Sequence, residues 1–153
     1  AGHHLIFLTP LAPGSDLIMV ETLQEYLRNN KTVSYEIIHI QTVDTKDLVK
    51  GYIERYEDGN IWSLETPRYK DQTLEKLITK RLVDISKDLS ILDLRPKESL
   101  SSSAKYQKNA DYFATIPKTL IAYLDEKRPS KSSVGVMVTL NEGEKRGVEH
   151  VKL

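Results

Sequence analysis

After four residues the chain runs through an unbroken apolar stretch, Leu5 to Leu8, crosses a small turn, and enters a segment in which Leu17, Val20, Leu23 and Leu27 recur at helical spacing. Continuous apolarity predicts a strand covered on both faces. The recurrence predicts an amphipathic helix, capped by Ser15 or Asp16 and stopped at Asn29-Asn30. The same pair then repeats. VSYEIIHI, residues 33–40, is β-branched and apolar enough for a second strand, and Leu48, Val49, Tyr52, Ile53 and Tyr56 form one helical stripe behind a cap at Asp44 or Thr45.

GNIWSLETP, residues 59–67, reads as a weaker third strand bounded by Gly59 and Pro67, followed by a long helix with Leu74, Leu77, Ile78, Leu82 and Ile85 on one side. LSILDL, residues 89–94, supplies a fourth strand. The stretch from Lys97 to Lys127 reads as a serine-rich cap cluster and two helices, the second starting at Pro117 behind Thr115. VGVMVTL, residues 134–140, is apolar apart from Thr139 and reads as a fifth strand, with Gly135 allowing close approach of a neighbour. Asn141-Glu142-Gly143 reads as a turn, and the tail after it has room for a short helix or strand.

Strands alternating with helices at this spacing predict right-handed crossovers and helices on both faces of a mostly parallel sheet. The expected fold class is α/β: a three-layer Rossmann-like or flavodoxin-like sandwich with a five-stranded sheet. Residues 1–4, with adjacent His3 and His4, read as a cloning remnant. Residues 5–153 read as a single α/β domain, excised from a longer protein.

Composition narrows the functional classes. Hydrophobic residues are 39% and charged residues 29% of 153, a soluble globular balance. No apolar run approaches the roughly 20 residues that span a bilayer, so a membrane partner is not expected. Lys plus Arg and Asp plus Glu are 22 each, so no net field draws the chain to nucleic acid. The absence of cysteine removes disulfides, thiolate catalysis and Cys-based metal sites, and goes with a cytoplasmic setting.

In an open parallel sheet, ligands bind beyond the carboxyl ends of the strands. That rule selects the loops 9–16, 41–45, 65–70, 93–103 and 139–144. In the first, Gly14 and Ser15 at a helix N-terminus could surround an anion with backbone donors, although TPLAPGSD carries neither a dinucleotide nor a P-loop fingerprint. The alternative is a plain turn and helix cap. In the fourth, DLRPKESLSSS, Arg95 offers a bidentate clamp, Lys97 a second cation, and Ser101, Ser102 and Ser103 hydroxyl or amide donors. The alternative there is an Asp93–Arg95 ion pair and a serine cap for the next helix. Arg68, Tyr69 and Lys70 would add cations and a stacking ring if their loop lay close by, whereas Trp62 is more readily a core residue.

Histidine offers little acid–base chemistry, because His39 lies inside a strand and His150 in the tail, without partners at zinc or triad spacing. The leading expectation is a ligand-binding or sensing domain for an anionic ligand such as a nucleotide, using Gly14, Ser15, Arg95, Lys97 and Ser101 to Ser103. Two other classes stand beside it. One is an enzyme on a phosphate-containing or glycosyl substrate, with Asp93 or Glu142 as base and Arg95 stabilising charge. The other is an interaction subunit that binds a protein partner or a second copy of itself.

Overall fold

The first two predicted strands pair in parallel, and much of the fold follows from that pairing. A computed structural model of the chain describes residues 4–12, 15–57, 73–97, 100–122 and 134–152. They gather into two compact units, Ala1–Arg95 and Pro96–Leu153.

In the first unit, β1 (His4–Thr9), β2 (Ser34–Gln41) and β3 (Ser90–Asp93) form a parallel sheet in that order. The register pairs His4 with Ser34 through Thr9 with His39, and Ile38 with Ser90 through Gln41 with Asp93. Ile37 and Ile40 of the central strand point to opposite faces and are both buried. That is what its nearly continuous apolar sequence requires, and the edge strands leave Ile6 and Ile91 exposed.

Helices α1 (Ser15–Asn29), α2 (Thr45–Glu57) and α3 (Leu74–Ser86) connect these strands. Their stripes meet in one core: Leu17 and Val20 from α1, Val49 and Tyr52 from α2, and Ile78, Leu82 and Ile85 from α3, with Leu11 from the β1–α1 loop. All three helices contribute to that one core, as crossovers that advance one strand at a time allow.

A polar seam ties α1 to α3 at spacings of three and four residues. Arg81 donates from Nε and Nη2 to the two carboxylate oxygens of Glu21, both at 2.6 Å. One turn on, Gln24 donates to the Ile85 carbonyl at 3.0 Å, and Arg28 bonds Asp88 at 2.5 Å. Arg81 is almost fully buried, so its planar fork is matched by the one ligand geometry that satisfies it, a bidentate carboxylate.

The second unit contains α4 (Ser102–Thr115), β4 (Thr119–Ala122), α5 (Val134–Lys145) and β5 (Glu149–Lys152). Strands β4 and β5 pair in parallel, Thr119 with Glu149 through Ala122 with Lys152. Leu120, Ala110, Phe113, Ala114 and Leu140 are its buried apolar residues.

The expected five-stranded sheet is therefore wrong: the described residues form one three-stranded and one two-stranded parallel sheet. VGVMVTL is not a strand. It opens α5, which runs on through Asn141-Glu142-Gly143, the residues read as a turn. A short run that is apolar on every side has no period to separate buried strand from buried helix, and length has to arbitrate. The deciding signal lies downstream, where Lys145 in the last turn precedes Gly147 at φ 73°. Val148 N donates to Gly143 O at 2.9 Å and Gly147 N to Glu144 O at 3.0 Å, the paired bonds of a glycine-terminated helix.

The opposite error falls at Pro117. Thr115 does not cap a new helix; it ends α4, its hydroxyl donating to the Asp111 carbonyl at 2.6 Å. Pro117 stands just past that helix end and leads into β4. The third expected strand, residues 59–67, lies outside the described residues. Among the described residues, no helix is long and apolar enough to cross a membrane.

Candidate functional site

Parallel pairing delivers the carboxyl ends of β1, β2 and β3 to one edge of the first unit, where Thr9 stands beside His39 and Gln41 beside Asp93. Neighbouring strands lie about 4.8 Å apart, so the β1 and β3 ends are roughly 10 Å from each other across β2.

The loop leaving β1 is held in an unusual conformation. Leu11 has φ 50°, in the left-handed region that non-glycine residues seldom enter, while its side chain is 1% exposed. Four bonds fix it there. Leu11 N donates to Thr9 Oγ1 at 3.1 Å. The Tyr52 hydroxyl donates to the Leu11 carbonyl at 2.8 Å and reaches the Ala12 carbonyl at 3.4 Å. Ala12 N donates to Asp16 Oδ2 at 3.2 Å.

From β2, the buried His39 ring bonds the Pro10 carbonyl. Burial lowers its pKa and that bond partly restores it. Burial raises the Tyr52 pKa well beyond the ordinary phenol range, and the nearby Asp16 adds to the shift, so the hydroxyl stays a donor. Burial likewise pushes the Asp16 carboxyl up to about 6, against the opposing Ala12 N–H bond.

At the other end of the same edge, Leu94 N donates to the Gln41 carbonyl at 2.8 Å, extending the β2–β3 ladder by one residue. This steers Arg95 toward the start of α2. Asp93 grips Arg95 with both oxygens, Oδ1 from Nε at 2.9 Å and Oδ2 from Nη2 at 2.7 Å, and Arg95 N also donates to Oδ1 at 3.0 Å. On the far side, Nη1 donates to Asp44 Oδ1 at 2.7 Å. The Arg95 hydrogen bonds hold the Asp93 pKa down at about 2, so this carboxylate takes up no proton near neutrality. The guanidinium is raised by the same two partners, Asp93 first.

Of the residues expected to bind ligand, Arg95 is placed at this edge by β3. Ser15 is the first residue of α1, at the same edge, and Gly14 lies outside the described residues, as do Trp62, Arg68, Tyr69 and Lys70. Lys97 is exposed and belongs to the second unit with the serines. Ser101 is the N-cap of α4, its Oγ accepting from Ala104 N at 3.3 Å, and Ser102 and Ser103 are the first helical residues. The Asp93–Arg95 pair and the serine cap were the plain structural alternatives, and both are present.

Glu142 pairs with Lys145 at 2.7 Å on α5. Among the described residues, no three His, Asp or Glu side chains converge as a metal ion requires. Sequence reasoning missed Leu11, the Tyr52 hydroxyl and the Arg95 contact of Asp44. Tyr52 sits on the apolar stripe of α2 and gives no sign that its oxygen serves a loop some forty residues earlier.

No family model matches the chain, and no curated protein or solved structure is significantly similar to it. The residues of this edge must be interpreted from their own geometry.

Proposed function

We propose that the first unit is a binding or sensing domain for a small anionic ligand, with nucleotides among the candidates and a cytoplasmic setting, seated at the carboxyl edge of its parallel sheet. The observation that carries this reading is the oriented Arg95 guanidinium. Asp93 fixes its plane through a fork-to-fork pair, so the group is presented rather than freely rotating. A guanidinium has five N–H donors, and its bonds among the described residues engage three of them, at Nε, Nη1 and Nη2.

The preset β1–α1 loop supports the same edge, because a loop already ordered before binding loses little conformational entropy when a ligand arrives. Binding also fits the site better than turnover. Asp93, one of the two expected bases, is held ionised far below neutral pH and is a poor proton acceptor there.

The test is thermal denaturation in the presence of inorganic phosphate, nucleotides and sugar nucleotides. A bound anion stabilises the fold by about 2.7 kcal/mol at one hundred times its Kd, and Arg95→Ala removes that gain. If no anion raises Tm, or if the rise survives Arg95→Ala, the proposal is wrong.

A further inference from the structure

The two carboxylates on Arg95 are held in different ways. Asp93 is two residues away, makes a bidentate grip and also accepts from the Arg95 backbone. Asp44 comes from 51 residues away and makes a single contact, Oδ1 to Nη1. Its side chain is 66% exposed against 42% for Arg95 and 48% for Asp93. One isolated ion pair at such exposure adds little to stability, whereas a bidentate pair is directional and holds its geometry.

The main chain of Asp44 is anchored independently of its carboxylate, because its carbonyl accepts from Leu48 N at 2.9 Å and starts α2. The carboxylate can therefore swing off Nη1 by side-chain rotation alone, leaving Asp93 and Arg95 in place. Charge balance shows what Asp44 costs a ligand. Asp93 and Arg95 together are neutral, and Asp44 brings the group to one negative charge. A carboxylate that has rotated off Nη1 stays close by, so an oxyanion binding there must displace it and then bind beside its charge.

We propose that Asp44 is a built-in competitor at the ligand site: its carboxylate occupies the place at Arg95 Nη1 that the oxyanion of the ligand takes, and so sets how strong an anion must be to bind. This rests on the anion-binding reading above and adds its regulation. The ligand chemistry it selects is a phosphate or carboxylate group able to displace one exposed carboxylate from a guanidinium.

The experiment measures inorganic phosphate binding to the full chain by calorimetry at low ionic strength. Asp44→Asn removes the competing charge and keeps the side-chain shape, and Asp44→Ser is a second variant that retains a helix-capping side chain. Both should bind phosphate about three- to ten-fold more tightly than the unaltered chain. Asp47→Asn makes the same charge change in the first turn of α2 at an exposed position that does not touch Arg95, and should alter affinity by less than about two-fold. Arg95→Ala should abolish binding in every background.

Phosphate binding detectable only after Asp44→Asn is the strongest form of the expected result. If the unaltered chain binds phosphate through Arg95 and neither Asp44 variant tightens it, or if Asp47→Asn tightens it equally, the competitor role is overturned while the binding reading stands. If neither the unaltered chain nor the Asp44 variants bind phosphate, the competitor role is overturned, and the binding reading falls with it if nucleotides and sugar nucleotides also leave Tm unchanged.

Discussion

The two units solve the same problem, burying apolar surface around a small parallel sheet, with different resources. Among the described residues the first has three strands and three helices whose stripes converge on one core, and it crosslinks α1 to α3 through Glu21–Arg81 and Gln24–Ile85. The second shows two strands and two helices among its described residues, and its close packing depends on a glycine: a Cβ at Gly143 would lie 2.7 Å from Leu120 Cδ1 and 3.1 Å from His150 Nε2. Both bury large side chains, but the second adds a close approach of helix to sheet that tolerates no side chain at Gly143. Substitutions that delete volume should therefore hurt the first unit most, and substitutions that add volume should expose the second.

The largest expected effect is Ile78→Ala. Ile78 is 1% exposed at the centre of the three-helix core, so truncation leaves a cavity lined by α1 and α2. A loss of about 3–4 kcal/mol is expected, measured by denaturant unfolding followed through the backbone amides of the first unit. A loss below about 1 kcal/mol would show that the core collapses around the gap and that the first unit does not depend on filled volume.

The contrast also explains what the sequence could and could not disclose. Helices α1, α2 and α3 were legible because their stripes extend over two to three turns and because polar residues separate them, which leaves a clear 3.6-residue period. Strands β1, β2 and β3 were legible as short apolar runs between turn residues. In the second unit the serine cap marks α4, but neither cue operates for β4 and α5. TLIA of β4 is four residues long and follows a proline that serves a helix end as readily as a helix start. VGVMVTL is rich in β-branched residues, and local propensity favours a strand there. Packing of α5 against α4 and the glycine-terminated end at Gly147 override that preference.

At the candidate site the same limit appears residue by residue. Arg95 and its Asp93 partner could be paired from sequence because they are two positions apart. The Asp44 contact and the Tyr52 hydroxyl bonds join residues 51 and 41 positions apart, and only the fold brings them together.

A second expected effect concerns charge inside the first unit. Asp16 has its folded pKa raised from 3.8 to about 6, so the fold prefers the protonated acid. Its stabilising contribution is complete below about pH 4 and is lost as pH rises through 6. His39 works in the opposite sense, since a lowered histidine pKa adds stability that is lost as pH falls below 6.5. Asp93 acts lower still, losing its contribution as pH falls from 3.8 through about 2.

The clean measurement is therefore the stability difference between Asp16→Asn and the unaltered chain, in which His39 and Asp93 cancel. Asn keeps an oxygen that accepts from Ala12 N. The difference should grow in favour of the variant between pH 4 and 7 by on the order of 2 kcal/mol. A difference that stays flat with pH would mean that Asp16 titrates as an ordinary carboxylate and that the β1–α1 loop carries no buried charge.

The smallest effect is the most diagnostic for the second unit. Gly143→Ala replaces a poor helix former inside α5, which by itself should stabilise by about 1 kcal/mol. The new methyl meets Leu120, which is buried on β4, and the His150 ring on β5, so the helix or the two-stranded sheet must shift. Overpacking of this kind costs about 1–3 kcal/mol. The two contributions oppose each other, and a net loss of about 1 kcal/mol is expected in urea unfolding of the second unit. Leu120→Val separates them, because it withdraws a methyl from the side that the alanine approaches. In the double variant the alanine penalty should shrink, giving a coupling of at least about 0.5 kcal/mol. Strict additivity, or a gain in stability from Gly143→Ala alone, would show that α5 has room above β4 and that the second unit is not built on the close approach at Gly143.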